Sequence, residues 1–215
     1  MPRLRQVPRA DAPDDVRKVY DLLFGGRDPV AEPGTATGTP GNWWTVFALV
    51  PDCFRHAVAG FAFYRSAARK LSPRLRELGQ TRAGFLRESQ FVFSQHCKAS
   101  RDVGISEAKI AAIPSWTGAD VFTPAERAVL AYTDELVLQN GRVQDATFAR
   151  LKQHLCDEEI LELSYIIALY EMHALLARAL RLEYDDVPER IVEVAAPAGA
   201  RGADFMAGVG KPEGA

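Results

Sequence analysis

The chain has 215 residues, 47% hydrophobic and 25% charged, with a formal net charge of -2. That size and composition suit a single globular domain that buries a core without staples, and so small a charge gives no reason to expect nucleic acid or an anionic membrane as partner. Three widely spaced cysteines, Cys53, Cys97 and Cys156, make no disulfide framework, and the opening MPRLRQVPRADAP lacks the apolar stretch of a secretory signal, so a reducing cytoplasm is expected.

Residues 1–10 read as an N-terminal extension. DAPDDVRKVYDLLFGG predicts a helix: acidic at its start, apolar at Val16, Tyr20, Leu22 and Leu23, and stopped by paired glycines. Residues 27–41, dense in Pro, Gly and Thr, predict a loop. NWWTVFALV and PDCFRHAVAGFAFYRSAARKL predict two helices, with Pro51 well placed at the start of the second. SPRLRELGQTRAGFLR follows, with Ser72 expected as N-cap and Pro73 at the first helical position. ESQFVFSQHCKASRDVG predicts another helix, SEAKIAAI a short one, and TPAERAVLAYTDELVLQ one opened by a capping box of Thr123 and Glu126. QDATFARLKQHL and DEEILELSYIIALYEMHALLARALRL complete the set.

No stretch alternates apolar and polar residues with period 2, so no substantial sheet is expected. The whole reads as one all-α helical bundle over residues 11–192. Residues 193–215, rich in Ala and Gly, read as a flexible tail, with Phe205 and Met206 available to dock on a neighbour. The run from Leu163 to Leu176 is apolar around its whole axis but too short to span a bilayer. A helix of that kind is either central or part of a subunit contact, and an oligomer is expected.

The chemistry turns on His96. On its own helix face stand Val92 and Ser89, neither an acid nor a thiol. Were Leu75 to Val103 one straight helix, Glu77 would lie roughly 28 Å away. If the chain instead turns near Leu86 and Arg87, with Ser89 capping a second helix, the midpoint of 77 and 96 falls at the turn. Glu77 and His96 then stand level across an antiparallel hairpin.

The segments LSPRLREL, ESQFVFSQHCKASRDVGIS, FTPAERAVLAYTDEL and FARLKQHLCDEEILELSYIIALYEMHALLAR together resemble the carboxymuconolactone decarboxylase and alkylhydroperoxidase D-like family, over roughly Pro51 to Leu182. The resemblance implies an all-α fold of the alkylhydroperoxidase D type, assembly as trimers or hexamers, and a catalytic site between Glu77, which follows Arg76, and His96. It also marks departures. Peroxidase members place cysteines seven and four residues before the histidine, where this chain has Ser89 and Val92. Other members carry a glutamate at the Val92 position. A dithiol peroxidase needs an attacking thiolate and a resolving thiol, so this reading is disfavoured. Cys97 points off the face of His96 and reads as a buried inert thiol.

Acid–base chemistry remains. Glu77 and His96 are the expected catalytic pair of a lyase, decarboxylating or isomerising, that acts on a small carboxylated or carbonyl substrate without cofactor or metal. Arg76, Arg82 and Arg87 are candidates to meet a substrate carboxylate. Trp43 and Trp44 are candidate pocket walls, and Ser89, Val92 and Phe93 candidate lining. The opposite expectation is a scaffold that binds or assembles without catalysis, as the loss of both cysteine positions suggests.

Overall fold

The structure is a computed structural model that describes residues 1–186, 191–196 and 206, and among these every regular element is helical. Phe205 and most of the expected tail lie outside the described residues. The chain gathers into two compact units: Met1–Ala68 with Leu176–Pro188 and Val194–Ala215, and Arg69–Leu175 with Glu189–Glu193.

The first unit holds α1 (Asp14–Phe24), α2 (Asn42–Phe47) and α3 (Pro51–Arg65). Helix α1 buries Val16, Tyr20, Leu23 and Phe24, one face at 3- and 4-residue spacing, and the Tyr20 hydroxyl donates to the Val7 carbonyl. Leu22, counted above with the apolar face, is exposed because it lies on the opposite side of the axis. Loop 27–41 is tied from within, Arg27 donating to the carbonyls of Phe24, Glu32 and Gly34. Its end meets the chain beyond residue 180. The buried Glu183 carboxylate accepts the backbone N–H groups of Gly41 at 2.8 Å and Trp43 at 2.7 Å, while Asn42 Oδ1 accepts the N–H of Glu183.

The second unit is built on α4 (Pro73–Leu86) and α5 (Gln90–Asp102), followed by α6 (Glu107–Ala112), a 3-10 stretch over Ile113–Gly118, α7 (Pro124–Leu138) and α8 (Asp145–Lys152). Helix α9 (Asp157–Leu180) runs in this unit as far as Leu175. Leu78, Phe93, Cys97, Ile105, Ile110, Ile113, Trp116, Phe122 and Leu130 form its core. The capping box at Thr123 and Glu126 is present with both bonds. Ser72 occupies the N-cap position of α4 but makes no side-chain cap bond, and Pro73 alone sets the start.

Helix α9 is sided rather than uniformly enclosed. Leu163, Ile166, Ile167, Tyr170 and Ala174 are buried, whereas Leu161, Tyr165, Met172 and Leu175 are 40–70% exposed. At 24 residues it is long and apolar enough to cross a membrane by length and composition alone, longer than the short apolar run suggested. Half of its most apolar window is nevertheless buried inside the protein.

Candidate active site

The α4–α5 turn decides the site. Arg87 ends α4 and Glu88 takes a left-handed φ of 55°. The N–H of Glu88 then donates to Phe85 O, and that of Ser89 to Gly84 O, the paired bonds of a Schellman motif. Ser89 immediately caps α5, its hydroxyl accepting the Val92 N–H. Three residues thus close one helix and open the next. The two helices pack closely because Gly84 has no side chain: a Cβ there would stand 2.8 Å from Phe93 N and from Val92 Cγ1.

This hairpin brings Glu77 and His96 together. His96 Nδ1 lies 2.7 Å from Glu77 Oε2, and the other carboxylate oxygen accepts from Arg76 Nε at 3.1 Å and Nη2 at 2.8 Å. Glu77 is 0% exposed and His96 4%. One turn on, Thr81 Oγ1 donates to the Glu77 carbonyl and lies 3.2 Å from Ser100 Oγ, which fixes the hairpin's register. Burial alone pushes the Glu77 carboxyl up, but the charge and hydrogen bond of His96, with those of Arg76, outweigh it and hold the carboxyl below its ordinary value. The carboxylate occupies Nδ1, so Nε2 is the ring nitrogen left to meet a reactant.

The other expected residues are each held by partners of their own. Arg76 is engaged with Glu77. Arg82 turns away: Nε and Nη2 bind Asp134 at 2.6 and 3.0 Å, and Nη1 donates to the carbonyls of Ile113 and Pro114. Arg87 is bound by Glu171 and the Val137 carbonyl. Both were candidates to meet a substrate carboxylate, and both are bound by carboxylates and carbonyls of the protein itself. Ser89 is the cap, Val92 is buried against Gly84, and Phe93 points its ring into the core beside Phe85. Trp43 and Trp44 lie in the first unit, Trp43 stacked on Phe47 and both packed with Phe61. Cys97 is a core residue whose thiol burial pushes up to about 12, far from a reactive thiolate.

The sequence reading missed Tyr170. Its ring stands edge to face with that of His96, centroids 4.1 Å apart, and reaches on to His173 at 5.7 Å. It comes from α9, a helix read as core or interface. The available signal was a tyrosine and a histidine three apart in an otherwise aliphatic run.

Residues 54–135 match the model of the carboxymuconolactone decarboxylase family, the family that the sequence resembles. Glu77 and His96 both lie within the matched residues. An uncharacterized protein of Bacillus subtilis (strain 168), YdfG, is 28% identical over 93 residues, which is 43% of this chain and 63% of that protein, less than two thirds of its length. A candidate AhpD-type antioxidant-defence protein of unknown function from Agrobacterium tumefaciens superposes with a TM-score of 0.59 at 26% identity, covering 68% of this chain and 96% of that one. An uncharacterized peroxidase-related protein from Ralstonia eutropha JMP134, with an AhpD core, gives 0.68 at 20% identity over 86% of this chain and 93% of its own. That likeness speaks for the all-helical fold.

Proposed function

We propose that Glu77 and His96 form the acid–base pair of a cofactor-independent lyase or isomerase acting on a small carbonyl or carboxylated compound. The observation that supports this most is the 2.7 Å contact between His96 Nδ1 and a fully buried carboxylate. A carboxylate so placed fixes the ring and its tautomer, presents Nε2 to the reactant, and stabilises the imidazolium formed when Nε2 takes a proton. Such a pair moves a proton next to a carbonyl, or protonates the carbanion left when CO2 departs. The test is a panel of lactones, ketones and β-keto acids assayed with wild type and His96→Ala. Turnover that persists in His96→Ala sinks the proposal.

The peroxidase reading, which the names of the AhpD-type relatives raise, has no reactive thiol at the site to run on. Ser89 serves as a cap, Val92 is packed against Gly84, and the Cys97 thiol stays protonated. Hydroperoxide reduction by the purified protein should be negligible, and Cys97→Ser should not change it. Peroxide turnover that Cys97→Ser abolishes would reverse this assignment.

For assembly we propose a homo-oligomer, trimer or hexamer, built on the exposed apolar stripe of α9. Leu161, Tyr165, Met172 and Leu175 recur at 4-, 7- and 3-residue intervals, the spacing of one helix face. A cytoplasmic setting, with a small molecule as the other partner, fits this reading.

A further inference from the structure

Gln80 is fully buried, and among the described residues neither its Oε1 nor its Nε2 has a hydrogen-bond partner. An amide left so in a packed interior is costly unless something else meets it. Its place on α4 shows which side of the helix it is on. Gln80 follows Glu77 by three residues, roughly 4.5 Å along the axis and about 60° round it. Glu77 and Gly84, seven apart, share the face turned to α5, where Gly84 meets Val92 and Phe93. Gly79 marks the face turned to α9, where a Cβ would meet Ile167 at 3.1 Å and Leu163 at 3.3 Å. Gln80 falls on the arc between these two faces. The His96–Tyr170 contact also joins α5 to α9. Gln80 therefore lies on the side of α4 where α5 and α9 meet, the side that also holds the imidazole.

The charges round about narrow what this amide could recognise. The guanidinium of Arg76 is bound to Glu77, that of Arg82 to Asp134 and two carbonyls, and that of Arg87 to Glu171 and a third carbonyl. The unpartnered donor on this side of α4 is a neutral amide, beside an anionic Glu77. A carboxylate entering there would give up water without a cation in exchange, which is unfavourable.

We infer that Gln80 binds the carbonyl oxygen of the substrate, and that the substrate is an uncharged carbonyl compound (a ketone, lactone or ester). The inference rests on the acid–base reading of Glu77 and His96 and selects the neutral arm of its substrate range. His96 Nε2 takes a proton from the carbon next to the carbonyl. The C–H electron pair becomes the enolate double bond, the carbonyl π pair moves onto oxygen, and the Gln80 N–H donates to that oxygen. The imidazolium returns its proton to the same carbon or to a conjugated one, so the sequence is a redox-neutral isomerisation.

The test is NMR-detected exchange of α-hydrogens with deuterated solvent on the full chain. One panel holds neutral ketones and lactones, and a matched panel holds keto acids. Wild type, Gln80→Met, Gln80→Leu and His96→Ala are compared, with thermal melts recorded for each. The expected result is His96-dependent exchange in the neutral panel. Either Gln80 variant should lower kcat there by roughly 100-fold, the scale for one lost oxyanion donor, while its melting temperature is unchanged or raised. Exchange confined to keto acids, or left intact in both folded Gln80 variants, overturns this inference and leaves the acid–base reading standing. No His96-dependent exchange in either panel overturns this inference and the isomerase arm of the acid–base reading.

Discussion

Glu77 holds the Arg76 guanidinium and the His96 ring at once, and this changes what its removal should do. Glu77→Gln keeps the shape but withdraws charge from His96 and from the buried Arg76 guanidinium, so it should cost about 3 kcal/mol of stability along with most of the activity. His96→Ala leaves Glu77 its Arg76 partner and should remove activity at a much smaller stability cost. In activity the double mutant should lose little more than either single, as members of one catalytic unit do. Denaturant titrations and kinetics on the four proteins check this, and full additivity in activity would refute it. The pH dependence has a definite sign. Because folding lowers the Glu77 pKa, its ionised form adds stability above the ordinary carboxylate range, and that stability is lost as pH falls through the lowered value. His96→Ala removes one of the partners that lower it, so in that variant the loss should begin at higher pH.

The turn and the clasp make separate predictions for the elements. Glu88 holds a left-handed conformation that costs an L-residue roughly 1 kcal/mol, so Glu88→Gly should stabilise the hairpin by up to about 1 kcal/mol. Gly84→Ala should cost about 1–3 kcal/mol, because the new methyl meets the backbone of Phe93. A chevron or melting series reads both. At Glu183, burial outweighs the hydrogen bonds from Trp43 and Gly41 and raises the carboxyl to about 7. Folding then favours the protonated form. Its stability contribution is full below about pH 4.5 and falls by roughly 3 kcal/mol as pH rises through 7. Glu183→Gln should flatten that slope, and an unchanged slope would assign it to other groups. The hairpin was legible in the sequence because a cap, a midpoint and a residue pair all agreed within thirty residues. The places of Gln80 and Tyr170 were not, since they depend on α9 packing against the hairpin, and no local pattern encodes a contact across 70 or more residues. Arg82 and Arg87 are alike in this: their carboxylate partners, Asp134 and Glu171, stand 52 and 84 positions away, beyond any local pattern.

For the whole molecule, the proposed assembly rests on the α9 stripe. Exposed Leu161, Tyr165, Met172 and Leu175 on one helix make a surface that a lone chain would leave wet. Light scattering at micromolar concentration should give the mass of a trimer or larger. Leu161→Glu with Leu175→Glu should reduce that mass to one chain while helicity by circular dichroism persists. A wild-type mass of one chain would refute the assembly. All-helical architecture was legible throughout from periodicity and caps. The sidedness of α9 was not, because apolar residues occupy both its buried and its exposed faces.

The closeness of Glu77 and His96 in sequence has a kinetic consequence. Nineteen positions separate them, so bringing them together closes a short loop at low entropic cost, and closure needs no distant strand or helix. Contacts of that kind favour fast folding, whereas Tyr170 joins His96 only across 74 positions and must wait for a much longer loop to close. In refolding followed by pulsed hydrogen exchange, amides of α4 and α5 should gain protection before those of α9. The Glu77–His96 pair would then be assembled before Tyr170 arrives beside it.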